Sequence, residues 1–352
     1  MSASARWKHR PPGSNWGDFG PDDQFGRMNL LTADKVKQGV AQVHEGLTFC
    51  LSLPLNLPGG NVLNPRRHPP LLRPTVRANK RPNMNYRLIN DNPNQSDVIS
   101  DDLVVMHLQY STQWDSFAHV GQMLDANGDG LPEAVYYNGF RAGEHILGPS
   151  EPDDAGVPTA PGARSTSIAT KLGIENLATQ CAQGRAAMID LEKHFGRARR
   201  NISYDDLMRV LDADRIEIET GDMVCLHTGF AQLLMDMNGK PDAAVLDNSC
   251  AALDGRDQKL LQWITDSGLV ALIADNYAVE THPSLPGEGC CASLPIHEHC
   301  LFKLGIHLGE IWYLTPLALW LREHQRYRFL LTAPPLRLPG AVGSPATPVA
   351  TV

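Results

Sequence analysis

Between residues 186 and 314, short apolar runs alternate with amphipathic stretches, and this alternation constrains the fold more than any other feature of the chain. "AAMIDL" (186–191), "DMVCLHTGF" (222–230), "LVALIADN" (269–276) and "IHLGEIWYL" (306–314) have the length and apolar content of buried strands. Between them, "SYDDLMRVLDADR" (203–215), "GRDQKLLQWITDSG" (255–268) and "SLPIHEHCLFKLG" (293–305) carry helical periodicity. Ser203 and Asp206 form a capping box for the first of these, and Gly268 stops the second. Strands separated by helices through short loops predict α/β layers around one core. Nearer the N-terminus, Val36, Val40 and Val43 predict a helix over 32–46, with Thr32 as N-cap and Gly46 as stop. Residues 47–63 then form a strand that runs into a Pro/Gly loop.

From Asn64 to Arg87 the chain is Pro-rich and carries seven Lys/Arg with no acid, which predicts a long ordered arm. "SEPDDAGVPTAPGARS" (150–165) is the best linker candidate. The chemistry-bearing residues fall on both sides of it, so a single domain over 1–352 is expected. Residues 1–30 and 335–352 are expected to be extended arms. With so little helix or strand pattern, the Pro-rich arm and the "LPGAVGSPATPVATV" tail (338–352) would drape over another subunit, in a homodimer or homotetramer.

The net charge of −8 argues against nucleic-acid binding, because phosphate contacts require a basic surface. No apolar run approaches bilayer length, and the basic N-terminus lacks the apolar stretch of a secretory signal. Seven scattered cysteines without a CxxC pair fit reduced thiols in a cytoplasmic protein. Cys290 and Cys291 are adjacent and near the C-terminal histidines, so a thiol nucleophile or ligand there stands as the alternative to simple packing.

Several common chemistries find no support. The chain has no G-x-S-x-G, no G-x-x-x-x-G-K-[ST], no G-x-G-x-x-G and no H-E-x-x-H. His297 and His299 cannot replace the last motif, because residues i and i+2 of a helix point to different sides. "DANGDGLPEAVY" (125–136) begins like a calcium loop, but Tyr136 stands where a bidentate Glu is needed. An Asx-rich turn is the expectation there.

"LQYSTQWDSFAHVGQ" (108–122) remains. Asp115 and His119 are ligand types for a divalent metal, and His297 and Glu310 supply a second such pair on a predicted helix and the strand after it. Two carboxylates and two imidazoles suit zinc or manganese and leave a position for water. A D-x-x-x-H pair also arises when a core histidine is simply hydrogen-bonded to an aspartate, so both readings stand on residue types alone.

"STQWDSFAH" resembles the signature of the cyclase superfamily of metal-dependent hydrolases, which includes kynurenine formamidases, isatin hydrolases and trans-dienelactone hydrolase-like proteins. "WGDFGPDDQFGRMNLLT", "YYNGF", "GDMVCLHTGF", "ADNYAVE", "HEHCLFKLGIHLGE" and "PGAVGSP" extend the resemblance along nearly the whole chain, to the branch carrying T-Q-W-D. It implies a swivelling β/β/α-type fold and opening of a lactone, lactam or related amide or ester by metal-activated water. By position, Asp115, His119, His297 and Glu310 match one metal's ligand set. Gln109 and Gln113 stand where relatives place two histidine ligands of a second metal. Amide oxygens are weak ligands, so the resemblance implies one tightly held zinc or manganese. Gln113, His119 and His297 are then the candidate catalytic groups and Gln109 an orienting one.

Trp114, Phe117, Tyr137 and Asn138 are candidates for a wall around a flat, aromatic or cyclic substrate, and Arg66 and Arg67 for contact with a substrate carboxylate. His227 is expected to be structural. Two alternatives remain: a non-hydrolytic cyclase or dehydratase, and a metal-poor binding protein with a degenerate site.

Overall fold

The computed structural model describes residues 6–156 and 164–352. Its centre is a mixed nine-stranded sheet. In chain order the strands used below are β1 (Thr48–Cys50), β2 (Leu71–Pro74), β3 (Asp102–Val105), β4 (Gln113–Asp115), β5 (Gln183–Asp190), β6 (Met223–His227), β7 (Ala271–Ala274), β8 (His307–Glu310), β9 (Arg328–Thr332), β10 (Gly343–Pro345) and β11 (Val349–Thr351). The sheet order is β1-β11-β9-β5-β6-β7-β8-β4-β10. Strands β5 to β8 are parallel, and the flanking pairings are antiparallel.

The helices used below are α1 (Ala33–Val40), α2 (Tyr204–Asp214), α3 (Phe230–Met237), α4 (Gln258–Asp266), α5 and α6 (Thr315–Glu323). Helix α5 begins as an α-turn, Pro295–His297, and continues as a π-helix, Glu298–Leu304. The parallel strands are linked by α2, α3 with α4, and α5, as the alternation predicts. Strands β5, β6 and β7 are buried almost throughout, which is why they appear in the sequence as continuous apolar runs rather than alternating ones. The fold is a single α/β domain, because β4 lies on one side of the 150–165 segment and its partners β8 and β10 on the other. Residues 157–163 of that segment lie outside the described residues.

Two expectations change, and the expected Asx-rich turn is present. Helix α1 stops at Val40, and its inward face is Lys35 and Gly39 rather than the valines. A Cβ on Gly39 would stand 2.8 Å from the backbone of Gly184 and Arg185, so glycine permits the helix to touch β5. The C-terminal segment is not an arm over another subunit: β10 and β11 are strands of the chain's own sheet. The 125–130 loop is satisfied without an ion, since Asp125 accepts from the backbone N–H groups of Gly128, Asp129 and Gly130.

Capping follows the sequence more closely. Ser203 Oγ accepts from the N–H of Asp206 at 3.2 Å, and Asp257 caps α4.

Beneath α1, Arg185 pairs with Asp222 at 2.8 Å and with Glu219 at 2.8 Å. The hydrogen bond from Arg185 leads the effects that hold the Glu219 carboxyl at about 2 instead of 4.5. A depressed acid stabilises the fold above its unfolded value and loses that contribution as pH falls toward the folded one. Stability should therefore drop from about pH 4.5 toward pH 2. Glu219→Gln should flatten that acid limb in denaturant midpoints measured across the range. An unchanged acid limb would remove this pair as its cause.

Candidate functional site

The carboxyl ends of the parallel strands carry Asp190, His227, Asp275 and Glu310, and open α/β sheets bind ligands at this edge. The candidate site forms where β4 lies antiparallel to β8. Gln113 pairs with Glu310 and Asp115 with Leu308, so Gln113, Asp115 and Glu310 share one face. His297 comes to the same face from the first turn of α5. Asp115, His297 and Glu310 offer ligand atoms within 4.8 Å of one another.

All three are buried. His297 Nε2 lies 3.0 Å from Glu310 Oε1 and 3.8 Å from Asp115 Oδ2. Its other ring nitrogen, Nδ1, is held at 2.8 Å by Glu280 Oε1. Glu280 also accepts from the N–H groups of Ile296 and His297, so it caps α5 and fixes the ring together. Burial opposes a charge on His297, but its hydrogen bonds to Glu280 and Glu310 override this and raise it to about 10. Burial, more than any other effect, lifts the Asp115 carboxyl above its usual range, and Glu310 adds to this. Burial likewise lowers His119, which leaves its imidazole neutral at neutral pH.

Two observations bear on whether a cation fits. Asp115 Oδ2 and Gln113 Oε1 are buried and have no hydrogen-bond partner among the described residues. Three buried acids, Asp115, Glu280 and Glu310, also converge on the His297 ring, a density of acidic groups that a cation would offset. The residues fit a divalent cation, with Glu280 aligning His297 as a second carboxylate aligns a metal-bound imidazole. His119 lies beside this group, its ring centroid 6.3 Å from that of His297.

The amide nitrogens of the two glutamines are directed at carboxylates. Gln109 Nε2 donates to Asp115 Oδ1, and Gln113 Nε2 to Glu310 Oε2 at 3.1 Å. Both therefore orient carboxylates. Gly343 makes room for this, because a Cβ there would stand 2.6 Å from Gln109 Cγ. Arg67 reaches the site edge, donating to the Gln109 carbonyl at 2.6 Å, and its charge is felt by His119 and Glu310.

Other expected site residues lie elsewhere. Trp114 alternates to the opposite face of β4, packs edge-on against Trp312 and donates to the Ala333 carbonyl. Asn138 clamps the N-terminal segment through the Gly17 N–H and the carbonyls of Gly20, Pro21 and Asp23. Tyr137 and Phe117 are core, with Phe117 stacked on His307. Arg66 is exposed and, among the described residues, bonds only to Asn64. Cys290 and Cys291 are exposed, unlike the buried carboxylate group. His299 faces α4, 2.9 Å from Thr265.

His227 is held between Asp190 and Thr315. It forms with Asp190 and Glu192 a second group of metal-ligand types. Arg322 already occupies Asp190 Oδ2 at 2.7 Å, so that group is charge-balanced. Sequence reading missed Glu280, whose signal lay in "ADNYAVE", a buried acid next to an apolar strand.

A parallel-centred α/β sheet with buried carboxylates and an aligned imidazole at its carboxyl edge defines the class. Within it, the model of the putative cyclase family matches residues 51–281, and the chain belongs to that family. A crystal structure of a novel cyclase matches at 29% identity and TM-score 0.70, over 98% of this chain and 100% of that one. An isatin hydrolase bound to the product analogue thioisatinate matches at 13% identity and TM-score 0.53, over 91% of this chain and 99% of that one. Isatin hydrolase A from Labrenzia aggregata, bound to benzyl benzoate, matches at 12% and 0.51, over 90% and 97%. At those identities the two hydrolases share the fold. Comparison with curated proteins gives no match.

Proposed function

We propose that the protein is a metal-dependent hydrolase that opens a lactone, lactam or related ester or amide of a small aromatic or cyclic substrate. The observation that carries this reading is the buried group Asp115–His297–Glu310, with His297 Nδ1 held by Glu280. These three residues, with His119 closing in as a fourth, would hold one zinc or manganese ion. Such an ion, when bound, lowers the pKa of water toward neutrality and polarises a carbonyl. Glu280 keeps a proton on Nδ1 of His297, so Nε2 faces the ion. Gln109 and Gln113 hold the two carboxylates in register. If His119 stays outside the ligand set, its neutral ring nitrogen can take a proton from the attacking water and return it to the leaving group. Arg67 lies where it can meet a substrate carboxylate or carbonyl oxygen.

The test is metal content of the purified protein together with turnover on lactones, cyclic imides and aryl formamides. Metal-free protein, or activity that survives exhaustive chelation, would overturn the reading. Incorporation of labelled water oxygen into product separates hydrolysis from cyclisation or dehydration. Gln113→Ala should keep most of the metal and lower turnover about 10-fold to 100-fold, because it frees Glu310 without removing a charged ligand.

We also propose a homodimer or homotetramer, located in the cytoplasm, whose subunits meet through the β2–β3 ribbon. That ribbon exposes Leu71, Leu72, Leu103 and Val104 at 64%, 72%, 45% and 48%, so its apolar side chains lack a cover among the described residues. A lone two-stranded ribbon is marginal in water. The basic stretch 64–87 that contains β2 complements a chain whose net charge is −8. Leu72 pairs with Val104. A double Leu72→Glu and Val104→Glu variant should sediment as a monomer at micromolar concentration while wild type does not. Identical sedimentation of both would remove the ribbon from any interface.

A further inference from the structure

Two hollows meet at the side chain of Tyr277. The smaller, of ≈ 10 Å³, lies on the carboxylate side, bounded by Asn64, Arg67 and Gln109 together with Leu63 and Tyr277. The larger, of ≈ 100 Å³, is walled by Val62, Leu63, Phe230, Leu246 and Tyr277, with Asn276 in the same wall. Leu63 and Tyr277 are common to both. The smaller space has room for about one water molecule, so it cannot hold the body of any substrate. The larger one can hold a ring.

The partition between them is lightly held. The Tyr277 hydroxyl meets Asn64 Nδ2 at 3.3 Å, near the limit of a useful hydrogen bond, and its ring touches His282 edge-on at 5.7 Å. Rotation of Tyr277, with Leu63 yielding beside it, is the movement that would join the two spaces.

The larger cleft also states what it would bind. Phe230 and Leu246 are buried and present apolar surface, and Tyr277 presents a ring. Asn276 is 4% exposed; its Nδ2 donates to the Ala251 carbonyl, and its Oδ1, itself closed to solvent, has no partner among the described residues, so a ligand's donor reaches it only as the wall side chains move apart. A buried amide oxygen left unpaired gains from any donor that reaches it. The rim carries Arg199 and Asp247, both exposed and opposite in sign, so the cleft imposes no net charge on its ligand.

We propose that this cleft is the subsite for the non-reacting part of the substrate, a flat apolar group bearing one N–H or O–H donated to Asn276 Oδ1. The word substrate rests on the hydrolase reading; the binding itself does not. The probes are indole and indene, which share size and shape and differ in the N–H. Saturation-transfer NMR on wild-type protein should show saturable indole binding, with indene about tenfold weaker. Val62→Trp fills the cleft from its exposed side and should abolish binding of both probes. No saturable indole binding, equal affinity for the two, or unchanged binding to Val62→Trp would each overturn the subsite. In turnover, Val62→Trp should raise KM for an aryl substrate about tenfold and leave kcat unchanged. An unchanged KM would detach the cleft from the reaction. Absence of turnover in wild type is a failure of the hydrolase reading alone, because the indole measurement needs neither metal nor catalysis.

Discussion

Asp115→Ala is expected to lose its metal and to lower kcat/KM by at least about 100-fold, the upper end of what loss of even an outer partner costs. Asp115 supplies the only charged ligand of β4, and neither Gln109 nor Gln113 offers a replacement of comparable affinity. The same change should leave the metal-free protein as stable as metal-free wild type, or more so. Burial and the neighbouring Glu310 already disfavour the Asp115 charge, so removing it relieves repulsion. Metal analysis, turnover and denaturant unfolding, all on one preparation, check the three parts. Full metal occupancy in the variant would end the case for this site.

Trp114→Ala should behave in the opposite way. Trp114 is 0% exposed, packs against Trp312 and donates to the Ala333 carbonyl, so its removal leaves a cavity and an unpaired acceptor. The expected cost is about 3–5 kcal/mol of stability by urea denaturation. At temperatures where the variant stays folded, KM should change by less than about twofold, since the indole faces away from the carboxylates. A large rise in KM without loss of stability would return Trp114 to the substrate wall.

These two neighbours show where sequence reading succeeds and stops. Asp115, His297 and Glu310 were legible as ligand types, and the helix and strand carrying the last two were legible from periodicity. Strand β4 is three residues long, too short to display its alternation, so Trp114 could not be separated from Gln113 and Asp115 by face. Asn138 was misplaced for a related reason. Its polar side chain is used by backbone groups more than a hundred residues earlier, a contact no local pattern reports. Glu280 was hidden because its role depends on meeting α5 across a loop. The C-terminal segment has turn-like composition, and its pairing with β4 and β9 comes from partners distant in sequence.

That pairing sets an order of events during synthesis. Strand β10 lies directly against Asp115, with Gly343 opposite the aspartate and the space for Gln109 depending on that glycine. A growing chain can assemble β5 to β8 and their helices well before residue 343 leaves the ribosome, yet β4 then still has one open edge. The carboxylate pocket can take its final shape only once that strand arrives. Chains cut short before it would carry every candidate ligand and still lack a finished site.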